Sequence, residues 1–166
     1  MSVRPKLLVA AVLAGAVVAS MAYLNSGTRR NAPTATPEMK EAVALRKSRY
    51  QEMGTALKAL KDELSSGNPD MVAVRRSASQ LRDTGKKLDH WFPPGSGPDA
   101  GLDTKASATI WKRPADFQRA NLDYQAQAEA FTQAVAGGDL ALVAAKFRAL
   151  GDACSGCHKP FRIDDD

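Results

Sequence analysis

Apolar side chains recur at helical spacing in four separate stretches of this chain. The first carries Met39, Val43, Arg46, Tyr50, Met53, Leu57, Leu60 and Leu64, in alternating steps of four and three residues, which puts a single stripe on one face of an α-helix. Thr36-Pro37-Glu38 opens that helix with a hydroxyl cap, a proline at the first helical position and an acid at the positive end of the helix dipole; Gly67 ends it. Asn68-Pro69-Asp70 starts a second helix with the stripe Met71, Val74, Ala78, Leu81, Gly85, Leu88, so the two are antiparallel neighbours across a very short turn. A third helix, opened by Pro114 and Asp116, turns Phe117, Asn121, Tyr124, Ala128, Phe131 and Val135 inward and stops at Gly137-Gly138. The fourth runs from Asp139 with Leu140, Val143, Phe147, Leu150, Cys154, Cys157 and Phe161 on one face. No stretch alternates with a period of two. The pattern therefore predicts an all-α fold, an antiparallel four-helix bundle.

Between the second and third stripes the texture changes. Residues 89–105 crowd Pro93, Pro94, Gly95, Ser96, Gly97, Pro98 and Gly101 together, which predicts a long loop. A connection of this length in a compact domain is often a crossing or a cover over a site. Trp91, Phe92 and Trp111 bracket it as apolar anchors.

Ahead of the bundle, Arg4 and Lys6 precede an apolar run from Leu7 to Leu24 broken only by Ser20, the layout of a secretory leader. Ser20-Met21-Ala22 offers a cleavage site, yet the run is also long enough to sit at the lower edge of what spans a bilayer. Residues 1–24 are thus read as a signal peptide or a membrane anchor, 25–35 as a polar linker, and 36–166 as the domain. Either leader places the domain outside the cytoplasm, in the periplasm of a bacterium, free or held at the inner membrane through residues 7–24. The charge balance separates the same parts. Of 23 basic residues, Arg4, Lys6, Arg29 and Arg30 precede residue 36 with no acid, and the remaining 19 nearly balance all 18 acids, so nothing points to nucleic acid.

The chemistry sits at the end of the fourth stripe. Cys154-Ser155-Gly156-Cys157-His158 holds the only two cysteines and has the spacing for covalent attachment of a c-type haem, with two thiols for two vinyl groups and an imidazole for the iron. On a helix, residues three and four apart share a face, so Cys154, Cys157 and His158 point one way. Three other readings compete. A thioredoxin-like redox pair wants a βαβ pattern, which the chain lacks. A zinc site from Cys154, Cys157, His158 and His90 lacks the usual ligand spacing. A disulfide across four residues adds little stability.

A C-terminal CxxCH followed by Phe161-Arg162, together with the Arg46-x3-Tyr50-x2-Met53-Gly54 stretch in the first helix, resembles the class II cytochromes c, the cytochrome c′ and cytochrome c-556 family. The Trp91-Phe92-Pro93-Pro94-Gly95-Ser96-Gly97 loop and the stretch from Ile110-Trp111 to Phe117 resemble what that family carries between helices, and the resemblance spans about 37 to 163. It implies one haem c held through Cys154 and Cys157 with His158 as axial ligand. Arg46 becomes a haem-propionate partner, where its residue type alone reads as an arginine reaching solvent at the bundle edge. Arg162 becomes a neighbour of the proximal histidine, where it otherwise reads as a solvated charge. Pro160 departs from the pattern and is expected to end the last helix early. Asp164 to Asp166 read as a frayed acidic tail.

In the resembling family the residue four after the first-helix arginine faces the iron. It is methionine in the six-coordinate c-556 type and a non-ligating residue in the c′ type. Here it is Tyr50, whose phenol is a poor ligand while protonated. The expectation is five-coordinate iron on His158 with Tyr50 as a steric lid; the alternative is a low-spin carrier with Met53 as sixth ligand, against the plainer reading of Met53 and Met71 as core filler. His90 reads as a surface residue. The function expected is one-electron transfer with redox partner proteins; the alternative is binding and storage of nitric oxide or carbon monoxide. An enzyme is not expected, because His90 is the only other histidine and no distal acid–base pair can be picked out. The resemblance also implies a homodimer through the first two helices, although Lys47, Arg49, Lys58, Lys61, Arg75, Arg76 and Arg82 charge their outer faces.

Overall fold

The computed structural model describes residues 34–163. The leader, most of the linker and the acidic tail lie outside the described residues. Helix α1 spans Pro37–Ser65 and starts as its sequence requires: Thr36 is extended, and its hydroxyl accepts a hydrogen bond from the Met39 amide at 3.3 Å. Helix α2 spans Met71–Gly85; the Asp70 carboxylate accepts from the amides of Val72 at 2.8 Å and Ala73 at 3.3 Å. The turn between them is locked by the Asp70 amide donating to the Glu63 carboxylate at 2.8 Å. Caps of this kind contribute about 1 kcal/mol each.

After α2 the chain makes two 3₁₀ turns, Leu88–Trp91 and Pro98–Ala100, and a one-turn helix α3, Thr109–Lys112. The predicted loop is therefore an ordered segment. Helix α4 spans Pro114–Gly137, and α5, capped by Asp139, spans Leu140–Phe161. Pro160 does not end α5 early: it lies exposed inside the last turn, and the helix closes one residue later with the Arg162 amide donating to the His158 carbonyl at 2.9 Å. Proline removes only the hydrogen bond to Gly156, and a single lost bond in a final turn is tolerated. Beyond it the chain pairs back onto the loop through an isolated antiparallel bridge, Ala106 with Arg162. There the Ser107 amide donates to the Phe161 carbonyl at 2.9 Å and the Ile163 amide to the Lys105 carbonyl at 2.8 Å.

The four long helices form an antiparallel bundle in which α1 packs on α2, α2 on α4, and α4 on α5; α1 and α5 make far less direct contact, although both contribute to the central core. The central core is built from the predicted stripes, with Leu60, Val74, Phe131, Val135, Val143 and Leu150 fully buried. Gly85 lets α2 and α4 come close, since a Cβ there would lie 2.2 Å from Cε1 of Tyr124. A second apolar cluster, Leu88, Trp91, Ala106, Ile110, Phe117 and Phe161, fastens the loop to the end of α5. Among the described residues no helix is long and apolar enough to cross a membrane.

Candidate functional site

The gap between α1 and α5 is a cavity of about 580 Å³, within the range that takes a small molecule or cofactor. Successive turns of α1 line one side with Arg46, Tyr50, Met53 and Leu57; α5 lines the other with Leu150, Cys154, Cys157 and His158. Leu81 and Tyr124 contribute from α2 and α4, while Phe92, Ile110 and Phe117 close one end and Thr104, Lys105 and Arg162 edge it. All seven site residues expected from the sequence, Arg46, Tyr50, Met53, Cys154, Cys157, His158 and Arg162, line this one cavity. His90 does not. Its side chain is 80% exposed beside Asp89, as a surface residue should be, and among the described residues no group of three or more His, Cys, Asp or Glu is placed to hold a metal ion, which removes the zinc reading.

The two cysteines are half-buried on the cavity wall and form no disulfide. Burial pushes the Cys154 thiol up, and burial together with the neighbouring Cys154 pushes Cys157 up to about 11. Neither sulfur is tied up in a disulfide, so both remain available for thioether formation with the two vinyl groups. Tyr50 packs edge-on against Trp91, ring centroids 5.4 Å apart, and lies 6.5 Å from Phe92. Burial holds its phenol far above the ordinary tyrosine range, the nearby cysteines adding to the effect and Arg46 opposing it. Tyr50 is therefore a neutral phenol.

Arg46 corrects the edge reading. It is 3% exposed, and its guanidinium is spent on the loop. Nη1 donates to the Trp91 carbonyl at 3.1 Å and to Ser96 Oγ at 3.2 Å. Nη2 donates to the Ser96 carbonyl at 2.9 Å and to Thr104 Oγ1 at 2.7 Å, and the group stacks 4.7 Å from the Phe92 ring centre. None of these partners is a carboxylate. A buried cation satisfied only by neutral oxygens leaves room for an anion nearby. Ser96 and Thr104 went unread in the sequence; Ser96 sits within a Pro/Gly cluster that signals a turn, and nothing local marks Thr104. The loop they belong to also walls a second, outer cavity of about 700 Å³, which shares Phe92, Ile110, Phe117 and Asn121 with the first.

The residues fit a covalently held porphyrin: a largely apolar slot, two free cysteines and an imidazole on one wall, and a buried cation able to balance acidic substituents. Cys154, Cys157 and His158 would hold it, and the group would supply a redox-active iron. The family model described as Cytochrome C′ matches residues 41–162. A cytochrome c′ from Rhodospirillum rubrum is 33% identical over 152 residues, covering 89% of this chain and 97% of its own. The crystal structure of cytochrome c′ from Thermochromatium tepidum has a TM-score of 0.71 at 23% identity, covering 76% of this chain and 97% of that one. A nitric oxide complex of a variant cytochrome c prime from Alcaligenes xylosoxidans has a TM-score of 0.70 at 21% identity, covering 79% and 100%. At these identities the two structures show the fold alone. The family match and the Rhodospirillum relative show more: the chain belongs to the cytochrome c′ family and carries one covalently attached haem c.

Proposed function

We propose that this protein is a periplasmic one-electron carrier whose haem is held through Cys154 and Cys157 and whose iron has His158 as its only protein ligand. The observation that carries this reading is Tyr50. Its phenol stands on the cavity wall opposite the cysteine face, neutral and wedged against Trp91 and Phe92. A protonated phenol is a poor iron ligand, and Tyr50 stands one turn before Met53 on the same cavity wall, so its bulk is expected to hinder a methionine ligand. The same geometry supports a second role, binding of a small diatomic such as nitric oxide or carbon monoxide, which displaces a non-ligating ring more readily than it displaces a bonded side chain. Neither role involves turnover. The ferric absorption spectrum tests the coordination: the parent is expected to lack a methionine-to-iron charge-transfer band, and Tyr50→Ala to bind carbon monoxide faster in the ferrous form. A charge-transfer band lost in Met53→Ala and unchanged in Tyr50→Ala overturns the five-coordinate reading and makes the protein a low-spin carrier.

The leader and the oligomer are read together. A periplasmic homodimer through α1 and α2 is supported by local pairing of several of the charges on those helices: Lys58 with Asp62, Arg49 with Glu52 and Arg82 with Asp83. Exposed pairs of this kind add little stability but lower the charge that two facing copies would bring together. The periplasmic fraction is expected to contain a haem protein of twice the chain mass starting near Tyr23. An intact leader in the membrane fraction would replace the free protein by an anchored one, and a monomeric mass at micromolar concentration would remove the dimer.

A further inference from the structure

Arg46 and Tyr50 lie one helical turn apart on α1, and both touch the same two loop residues. The guanidinium bonds the Trp91 carbonyl and covers the Phe92 ring, while Tyr50 rests its own ring against Trp91 and Phe92. We propose that Arg46 is a positioning residue for the iron's sixth side: by clamping the loop at Trp91, Ser96 and Thr104 it fixes the aromatic wall that holds Tyr50 in place and keeps Met53 away. The inference rests on the five-coordinate reading above and adds the device that maintains it.

Donor accounting supports the clamp over a role in binding alone. A guanidinium has five N–H groups, and the four on Nη1 and Nη2 are matched by the four bonds to Trp91, Ser96 and Thr104, leaving only Nε–H to offer elsewhere. The forked, bidentate grip that arginine offers a carboxylate is thus already used on the loop. The loop in turn needs it. Ser96 is fully buried with its hydroxyl donating to the Pro93 carbonyl at 2.8 Å, so its own carbonyl and hydroxyl oxygen face inward and require a donor. Lysine cannot replace the group, because a single ammonium has neither the planar fork nor the flat face laid on Phe92.

The test uses the haem-loaded protein and two readouts, the ferric absorption spectrum and the rate of thermolysin cleavage within residues 92–104. Arg46→Lys, and separately the Ser96→Ala, Thr104→Val pair that leaves the arginine in place, are expected to gain a six-coordinate, methionine-ligated component. Loop cleavage is expected to be about tenfold faster, the change that a small loss of loop-opening free energy produces. Adding Met53→Ala should abolish the new component. The parent spectrum in both variants overturns the proposal even if cleavage accelerates, since that pattern describes a merely structural arginine. If Arg46→Lys fails to fold, the Ser96/Thr104 pair decides alone. A methionine band already present in the parent protein would instead mean that the five-coordinate reading has failed, whatever the loop does.

Discussion

A Cys154→Ala, Cys157→Ala double variant is expected to surrender all its haem to acid acetone, whereas the parent chain should keep its pigment after denaturation. Thioether bonds survive unfolding; coordination by His158 and packing in the cavity do not. Each single variant retains one thioether and should keep its haem through extraction. The α1–α2, α2–α4 and α4–α5 packing rests mainly on larger buried side chains such as Leu60, Val74, Phe131 and Leu150, with the cysteines only partly buried at its margin, so the double variant should also keep most of its helical circular dichroism. Pigment that stays with the chain in the double variant, or leaves the parent on extraction, would remove the covalent site from these residues.

The second large effect is expected at Gly85. Glycine inside a helix ordinarily costs roughly 1 kcal/mol relative to alanine, so Gly85→Ala on an exposed helix would stabilise. Here the added Cβ would lie 2.2 Å from Cε1 and 3.0 Å from Cδ1 of Tyr124. That ring has little room to yield: Tyr124 is 4% exposed, and its hydroxyl donates to the Leu81 carbonyl at 2.9 Å, one turn before Gly85. Overpacking costs about 1–3 kcal/mol, and losing the tyrosine's hydrogen bond adds about 1 kcal/mol more. The clash outweighs the propensity gain. A net loss of about 1–3 kcal/mol is expected, and a lower Tm in thermal melts; combining Gly85→Ala with Tyr124→Ala should cost less than the two single changes added together, because the clash disappears with the ring. An unchanged or higher Tm for Gly85→Ala would show that α2 and α4 have slack here. Since Tyr124 also lines the haem cavity, a displaced ring should perturb the absorption spectrum as well.

What the sequence made legible follows from periodicity. Stripes spaced three and four apart have one physical solution, a helix with one buried face, and the buried positions Leu60, Val74, Phe131 and Leu150 lie on the stripes read from the chain. The haem attachment site was legible for a different reason, because Cys154, Cys157 and His158 are local in sequence and carry their chemistry in their spacing. Arg46 was only half legible. Its place on a core stripe signalled burial, but its partners are 45 to 58 residues away in a segment with no period of its own. The loop's order was likewise invisible, since its 3₁₀ turns are held by tertiary contacts such as the Trp111 indole N–H donating to the Pro93 carbonyl at 3.2 Å. Pro160 was misjudged because proline's effect depends on how many hydrogen bonds remain after it, and at the end of α5 that number is small.

The separation of α1 from α5 has a kinetic meaning. Chain folding is slowed by contacts between residues far apart in sequence, because closing a long loop costs entropy before any contact is made. In this bundle each direct helix–helix packing joins neighbours in the order of the long helices, and the one junction that would unite the first helix with the last is a slot for a prosthetic group. The most remote closure of the fold is thereby assigned to a rigid disc tethered to the last helix. The polypeptide's own helix packing is left mostly as a run of contacts between sequential neighbours, and the cavity between α1 and α5 is where the haem would join the first helix to the last.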